Sequence, residues 1–297
     1  MKQFAAQIRN AAAAALGLAM VAGASQAAAE VRFSLQEGGV SRSITLGGSC
    51  NRCELSGRNL SGATLSGATF ISATLVGANL RGAELAGGNF TNSDFSRANL
   101  TGAEMNGANF TSAVFVDATM NGAEASGAVF TNANMARVDL TGAELSAVNM
   151  NSAVLQDARL TGAEMFGANL ANVNARNASF SHSEMQASNM TSGDFSGANF
   201  SAASLDNARF RNGNFNRANF SGASLRRTDI RGVDLSRAVG LNQDQVSEAC
   251  ADETTRLPRG LQIGSCRSRT IIRVAPPAPP RPPAVPTPPV RHYASND

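Results

Sequence analysis

The chain has no tryptophan, one tyrosine and two histidines in 297 residues. Aromatic residues make up 5% of it and charged residues 16%. So little charge excludes a charge-rich disordered chain. So few aromatics exclude a large irregular core of ordinary composition. A formal net charge of +3 is too small to argue for nucleic acid as a partner. Long hydrophobic runs are absent too. The most apolar stretch, Ala11 to Ala24, is shorter than the roughly 20 residues a bilayer span requires. Ala, Ser, Asn and Gly dominate instead, which points to a repetitive chain.

Two terminal segments stand apart. In residues 1–29, Lys2 and Arg9 precede the apolar stretch, and Ala27-Ala28-Ala29 offers an A-x-A cleavage site before Glu30. This pattern predicts a bacterial Sec-type signal peptide and a periplasmic or secreted mature protein with no transmembrane segment. An oxidising compartment makes Cys50, Cys53, Cys250 and Cys266 disulfide candidates. At the other end, residues 267–297 hold nine of the ten prolines with Arg267, Arg269, Arg273, Arg281 and Arg291. Such a segment favours extended polyproline II and builds no core, so a disordered tail is expected. It reads as a solvated spacer, or as a tether to anionic envelope material.

Between the ends lies a period of five, unbroken from Cys53 to Arg237. Every fifth residue from Leu55 to Leu235 is Leu, Phe, Met or Ile, except Ala125 and Ala175. The position two before each is small, Ala most often, with Arg58 as the outlier. Neither a helix, with its 3.6 period, nor a strand, with its 2.0 period, fits this spacing. It fits a chain that turns a corner every pentapeptide, with one large and one small residue inward on each side. A second period fixes the number of sides. Glu84, Glu104, Glu124, Glu144, Glu164 and Glu184 recur every 20 residues, as do Phe70, Phe90, Phe110 and Phe130. Twenty residues return the chain to the same face, giving four sides and about nine stacked coils.

Stretches such as Ala78-Asn79-Leu80-Arg81-Gly82 and Ala198-Asn199-Phe200-Ser201-Ala202 resemble the A(D/N)LxX consensus of pentapeptide-repeat proteins. The resemblance implies an all-β fold, a right-handed quadrilateral β-helix. It says little of function, since most members of that family have none assigned. The resulting organisation is signal peptide 1–29, N-terminal cap 30–52, repeat 53–238, C-terminal cap 239–266 and tail 267–297. In the caps, 31–35 reads as a short covering strand. Asn242 reads as the N-cap of a helix to about Ala251, with Gln245 completing a capping box and Leu241 and Val246 as a staple.

Candidate chemistry is sparse. Cys50-Asn51-Arg52-Cys53 could be a redox pair or half a zinc site. The fold lacks the βαβ unit the first needs, and Cys250 and Cys266 lie about a rod length away, so one disulfide in each cap, 50–53 and 250–266, is expected. A filled rod has no cleft for a Ser-His-carboxylate site, and His182 and His292 read as solvated. No catalytic residue and no cofactor is expected. The Glu84–Glu184 column is either a duplicated solvated edge or a strip for cations or a basic partner. Charge also varies along the chain: residues 81–200 carry five Arg against eleven acids, and residues 201–238 seven Arg against three Asp. The expected function is that of a non-enzymatic, monomeric, exported rod-like scaffold or protein-interaction module. Its partner would be an envelope or extracellular protein or polymer. Alternatives are a cation or small-solute binder, including an ice binder on Asn/Thr faces, and a DNA-mimicking protein that interacts with gyrase, as some members of the resembled family do. The last needs strong negative charge and cytosolic residence.

Overall fold

The computed structural model describes residues 30–37 and 40–264. In the stretch 49–239, the fourth residue of each pentapeptide pairs with its counterpart one coil away at all rungs but one, Asn214 with Asp234. The parallel bridges Glu54↔Thr74, Asn59↔Asn79, Thr64↔Glu84 and Thr69↔Asn89 mark four sides, and each ladder continues at steps of 20. This is a four-sided parallel β-solenoid. At roughly 4.8 Å per coil, the unbroken ladder from Asn59 to Val239 spans about 43 Å.

The corners explain the spacing of five. Leu60 accepts from the Ala63 N–H at 3.0 Å across a four-residue turn, and the same bond recurs at most corners. The third residue of each turn has positive φ. Every fifth residue from Arg52 to Gly232 lies between 54° and 71°. That is the backbone of a type II turn, which favours glycine at this position. Gly82, Gly102, Gly122, Gly142 and Gly162 sit there, but so do Asn, Asp, Ser, Arg and even Ala147.

Between corners, the residue after the turn and the one two further on point inward. Ala63, Leu65, Ala68 and Phe70 begin a core in which nearly every inward side chain is fully buried. Phenylalanines stack coil on coil at the spacing of the ladder: Phe90, Phe110 and Phe130 have centroids 5.1 and 5.0 Å apart. Neighbouring columns meet edge to face, as Phe95 does Phe110 at 5.7 Å. Polar residues at the small position are bonded into the wall: Thr228 Oγ1 donates to Leu205 O at 2.8 Å, and Ser93 Oγ to Phe70 O. Ala125 and Ala175 are buried like the residues they replace, and Arg58 is exposed, turned out of the first coil.

Both ends differ from the expected boundaries. The first rung is Ser49↔Thr69, so the coil starts inside the segment 30–52 expected as a cap. Cys50 stands at a large inward position, which a search for Leu and Phe passes over, and Cys53, where the sequence period begins, at a small one. Before it, β1 (Glu30–Glu37) and β2 (Val40–Gly47) form an antiparallel hairpin, where only a single strand over 31–35 is expected. After Val239, α1 (Gln243–Glu248) replaces the next wall. Its capping box is as the sequence predicts: Asn242 accepts from the Gln245 N–H, and Gln245 accepts from the Asn242 N–H. The helix ends at Glu248 rather than near Ala251, because the chain rejoins the ladder. Cys250 pairs with Asp229 and Arg256 with Asp234. Gln245 Nε2 donates to Phe220 O and Ala223 O at 2.8 Å each; Phe220 O also accepts from the Ala223 N–H, and Ala223 O has no main-chain donor. Cys266 and the tail 267–297 lie outside the described residues, as does the segment 1–29.

Candidate functional site

The interior is filled by its own side chains, so the chemistry available to a partner is on the walls and corners. On the wall that begins at Thr64, the six carboxylates Glu84, Glu104, Glu124, Glu144, Glu164 and Glu184 are successive bridge partners, and all are exposed. Gly82, Gly102 and Gly122 on one side of the row, and Gly87, Gly107 and Gly127 on the other, have open space where a Cβ would project. The column therefore stands alone on a flat wall, with Phe166 exposed beside it at 59%. Among the described residues no ion pair engages these glutamates, and no three His, Cys, Asp or Glu side chains converge as a metal cluster. His182 is exposed at a corner with φ 59°.

The cysteines lie where the sequence puts a staple, as far as they are described. Cys50 and Cys53 are joined, with Cα atoms 5.4 Å apart, across the first corner. Cys250 is in a disulfide, and the expected partner Cys266 lies outside the described residues.

Charge is paired elsewhere. Arg137 holds Asp117 on the next coil with two bonds of 2.6 and 2.8 Å, and this keeps the Asp117 carboxyl below its usual range. Asp229 receives Arg231 at 2.7 and 2.8 Å and Arg211 at 2.7 Å. The Arg231 bonds are the largest cause of a carboxyl pKa lowered to about 2, against a partial burial that raises it.

One wall is split. On the side that begins at Glu54, bridges join Asp194 to Asn214 and Asp234 to Arg256, but none joins Asn214 to Asp234. The N–H groups of Asn212, Phe215, Arg217 and Asp234 lack the main-chain partners that their counterparts one coil earlier possess, such as Phe195 N–H on Asn214 O at 2.7 Å. A cavity of about 420 Å³ opens there, lined by Asn214, Asn216, Asp234, Ser236, Arg237 and Arg256. A second of about 280 Å³ shares Asn214 and Asn216 and extends to Arg176, Asp194 and Arg217. Asn216 Oδ1 is buried without a hydrogen-bond partner. Three rings pack beneath this part of the wall. Phe210, Phe215 and Phe220 are the only three consecutive inward phenylalanines. Their centroids crowd to 4.3, 5.9 and 6.0 Å. Gly213 already yields room, since a Cβ there would lie 2.7 Å from the Phe215 ring. No feature of the repeat pattern marks this site in the sequence; the Phe triplet is what sets its coil apart.

Models of the pentapeptide repeat match residues 49–162 in overlapping segments of eight copies, and a pentapeptide repeat region matches 163–239. The chain belongs to the pentapeptide-repeat family, whose members fold as right-handed quadrilateral β-helices and are generally non-catalytic structural or interaction proteins. Among solved structures it is similar to HetL of the cyanobacterium Nostoc sp. strain PCC 7120, a pentapeptide repeat protein involved in heterocyst differentiation regulation. The identity is 24% over 73% of this chain and 86% of that one, with a TM-score of 0.30. It is also similar to trypsin-treated QnrB1, a plasmid-mediated fluoroquinolone resistance protein, at 20% identity over 69% of this chain and 93% of that one, with a TM-score of 0.41. A pentapeptide repeat protein of the Arabidopsis thaliana thylakoid lumen aligns at 20% identity over 36% of this chain and 67% of its own, with a TM-score of 0.25. No curated protein matches.

Proposed function

We propose that this protein is an exported, non-enzymatic scaffold of about nine four-sided coils that binds a protein of the bacterial envelope or exterior through its outer walls. One observation carries the proposal: the core is filled by the rod's own Leu, Phe and Met side chains, while the walls present long regular columns of unlike chemistry. Export rests on Lys2, Arg9 and the Ala-rich stretch before Glu30, and the Arg/Pro tail supplies a spacer. A tagged full-length chain expressed in a Gram-negative host should fractionate to the periplasm or medium, with its N-terminus at Glu30. Photo-crosslinkers on the outer corners should capture a specific envelope protein in repeat experiments. Cytosolic retention would remove the export half, and absence of any crosslinked partner from all four walls would remove the scaffold half.

A further inference from the structure

We propose that the split wall between Asn214 and Asp234 is a docking slit for an acidic, extended peptide segment of a partner protein. The inference rests on the scaffold reading and names the place and chemistry of recognition. Three observations converge on it. The first is the missing rung. The N–H groups of Phe215 and Arg217 on one lip and of Asp234 on the other are unpaired, as are the carbonyls of Gly213, Asp234 and Ser236 they would meet in a closed ladder. Each lip carries both open donors and open acceptors, as the edge of a sheet does, and an added extended chain can satisfy such an edge. A lone anion would satisfy only the donors.

The second is Asn216, which lines both cavities and whose Oδ1 is buried without a hydrogen-bond partner. Such atoms occur also at Asn121, Gln186 and Ser188, so this one marks the place of the slit and the main-chain groups and charge carry the inference. The third is charge. Arg176, Arg217, Arg237 and Arg256 line the two cavities against Asp194 and Asp234 alone. The two ion pairs there are long, Arg176–Asp194 at 4.0 Å and Arg256–Asp234 at 3.8 Å, and neither Arg217 nor Arg237 has one among the described residues. Two guanidinium charges are thus left over for carboxylates of the incoming segment, for which their planar fork is suited.

The test uses the full mature chain and a short fluorescein-labelled peptide that alternates Glu with Thr. Anisotropy titration should show saturable, salt-sensitive binding. The Lys-for-Glu peptide should not bind. An analogue with alternate main-chain nitrogens methylated should lose about tenfold or more, because it keeps the charge and loses the ladder. Arg237→Glu with Arg256→Glu should abolish binding, while Arg237→Lys with Arg256→Lys, which preserves folding and charge, should retain part of it. Glu124→Gln with Glu144→Gln, on another wall, should change nothing. Hydrogen exchange should show fast amides at Phe215, Arg217 and Asp234 in the free protein, and protection there on binding.

Equal binding of the methylated analogue, displacement by inorganic phosphate alone, or no binding of the acidic peptide would overturn the proposal. So would slow exchange of those amides in the free protein. If the crosslinked envelope partner is captured as well by the Arg237→Glu, Arg256→Glu variant, the slit falls and the scaffold reading stands.

Discussion

At the corners the chain accepts a backbone that most of its residues do not favour. Left-handed φ costs a residue with a Cβ about 1–2 kcal/mol relative to its relaxed state. Ala147, at φ 54°, has no side-chain polar group to offset this. Ala147→Gly is therefore expected to raise the melting temperature slightly, the gain reduced by the greater freedom of glycine in the unfolded chain. Gly122→Val, at φ 60° with open space around it, should lower stability by about 1–2 kcal/mol through backbone strain alone. Thermal melts of the two variants check the corner assignment. A stricter check is Leu140→Asp, which places an unpaired carboxylate at a fully buried position and should unfold or fray the middle of the stack.

Among the elements, the C-terminal turn carries most of the specific polar chemistry. Gln245 ties α1 to two carbonyls of the last complete coil. Gln245→Ala should cost about 1–3 kcal/mol and show first as fast exchange in residues 220–250. Asp229 makes the same region acid-sensitive. Its carboxyl is held near 2 in the folded chain against 3.8 ordinarily. Ionisation thus favours the folded state fully above pH 3.8, and the benefit disappears as pH falls from about 4 to about 2. Asp229→Asn should weaken the protein at neutral pH and flatten its acid denaturation in that window, as followed by circular dichroism. Much of this architecture was legible in the sequence: Leu, Phe and small residues at fixed intervals could be read as columns, and Asn242 and Gln245 as a cap. Three features were not. Corner backbone is hidden because Asn, Ser, Arg and Ala stand where glycine would announce it. The return of Cys250 and Arg256 to the ladder is hidden because α1 shifts the register. The split wall is hidden because the fourth-position pattern at Asn214 and Asp234 is the same as on closed rungs such as Asn174 and Asp194.

Along the described solenoid, long-range contacts run from one coil to the next, and like residues stack in columns. The Glu84–Glu184 column puts like charges on adjacent rungs with no cation paired to them among the described residues. Glu124→Gln with Glu144→Gln should raise the melting temperature at low ionic strength, and added salt should erase the difference. If the parent gains from millimolar calcium and this variant does not, the column binds cations. If calcium shifts neither, it is a solvated edge.

The direction of the rungs has a mechanical consequence. Every inter-coil hydrogen bond lies along the rod axis, so tension applied between the two ends loads a few bonds at a time, as in opening a zipper. Sideways tension would shear a whole wall together. Each coil that opens frees 20 residues, or about 66–72 Å of contour. Pulled by its ends in a force microscope, the rod should yield at low force in a sawtooth of that spacing. The first tooth should arise at the unpaired wall near Asn214, so that the protein would act as a stepwise length reserve under load.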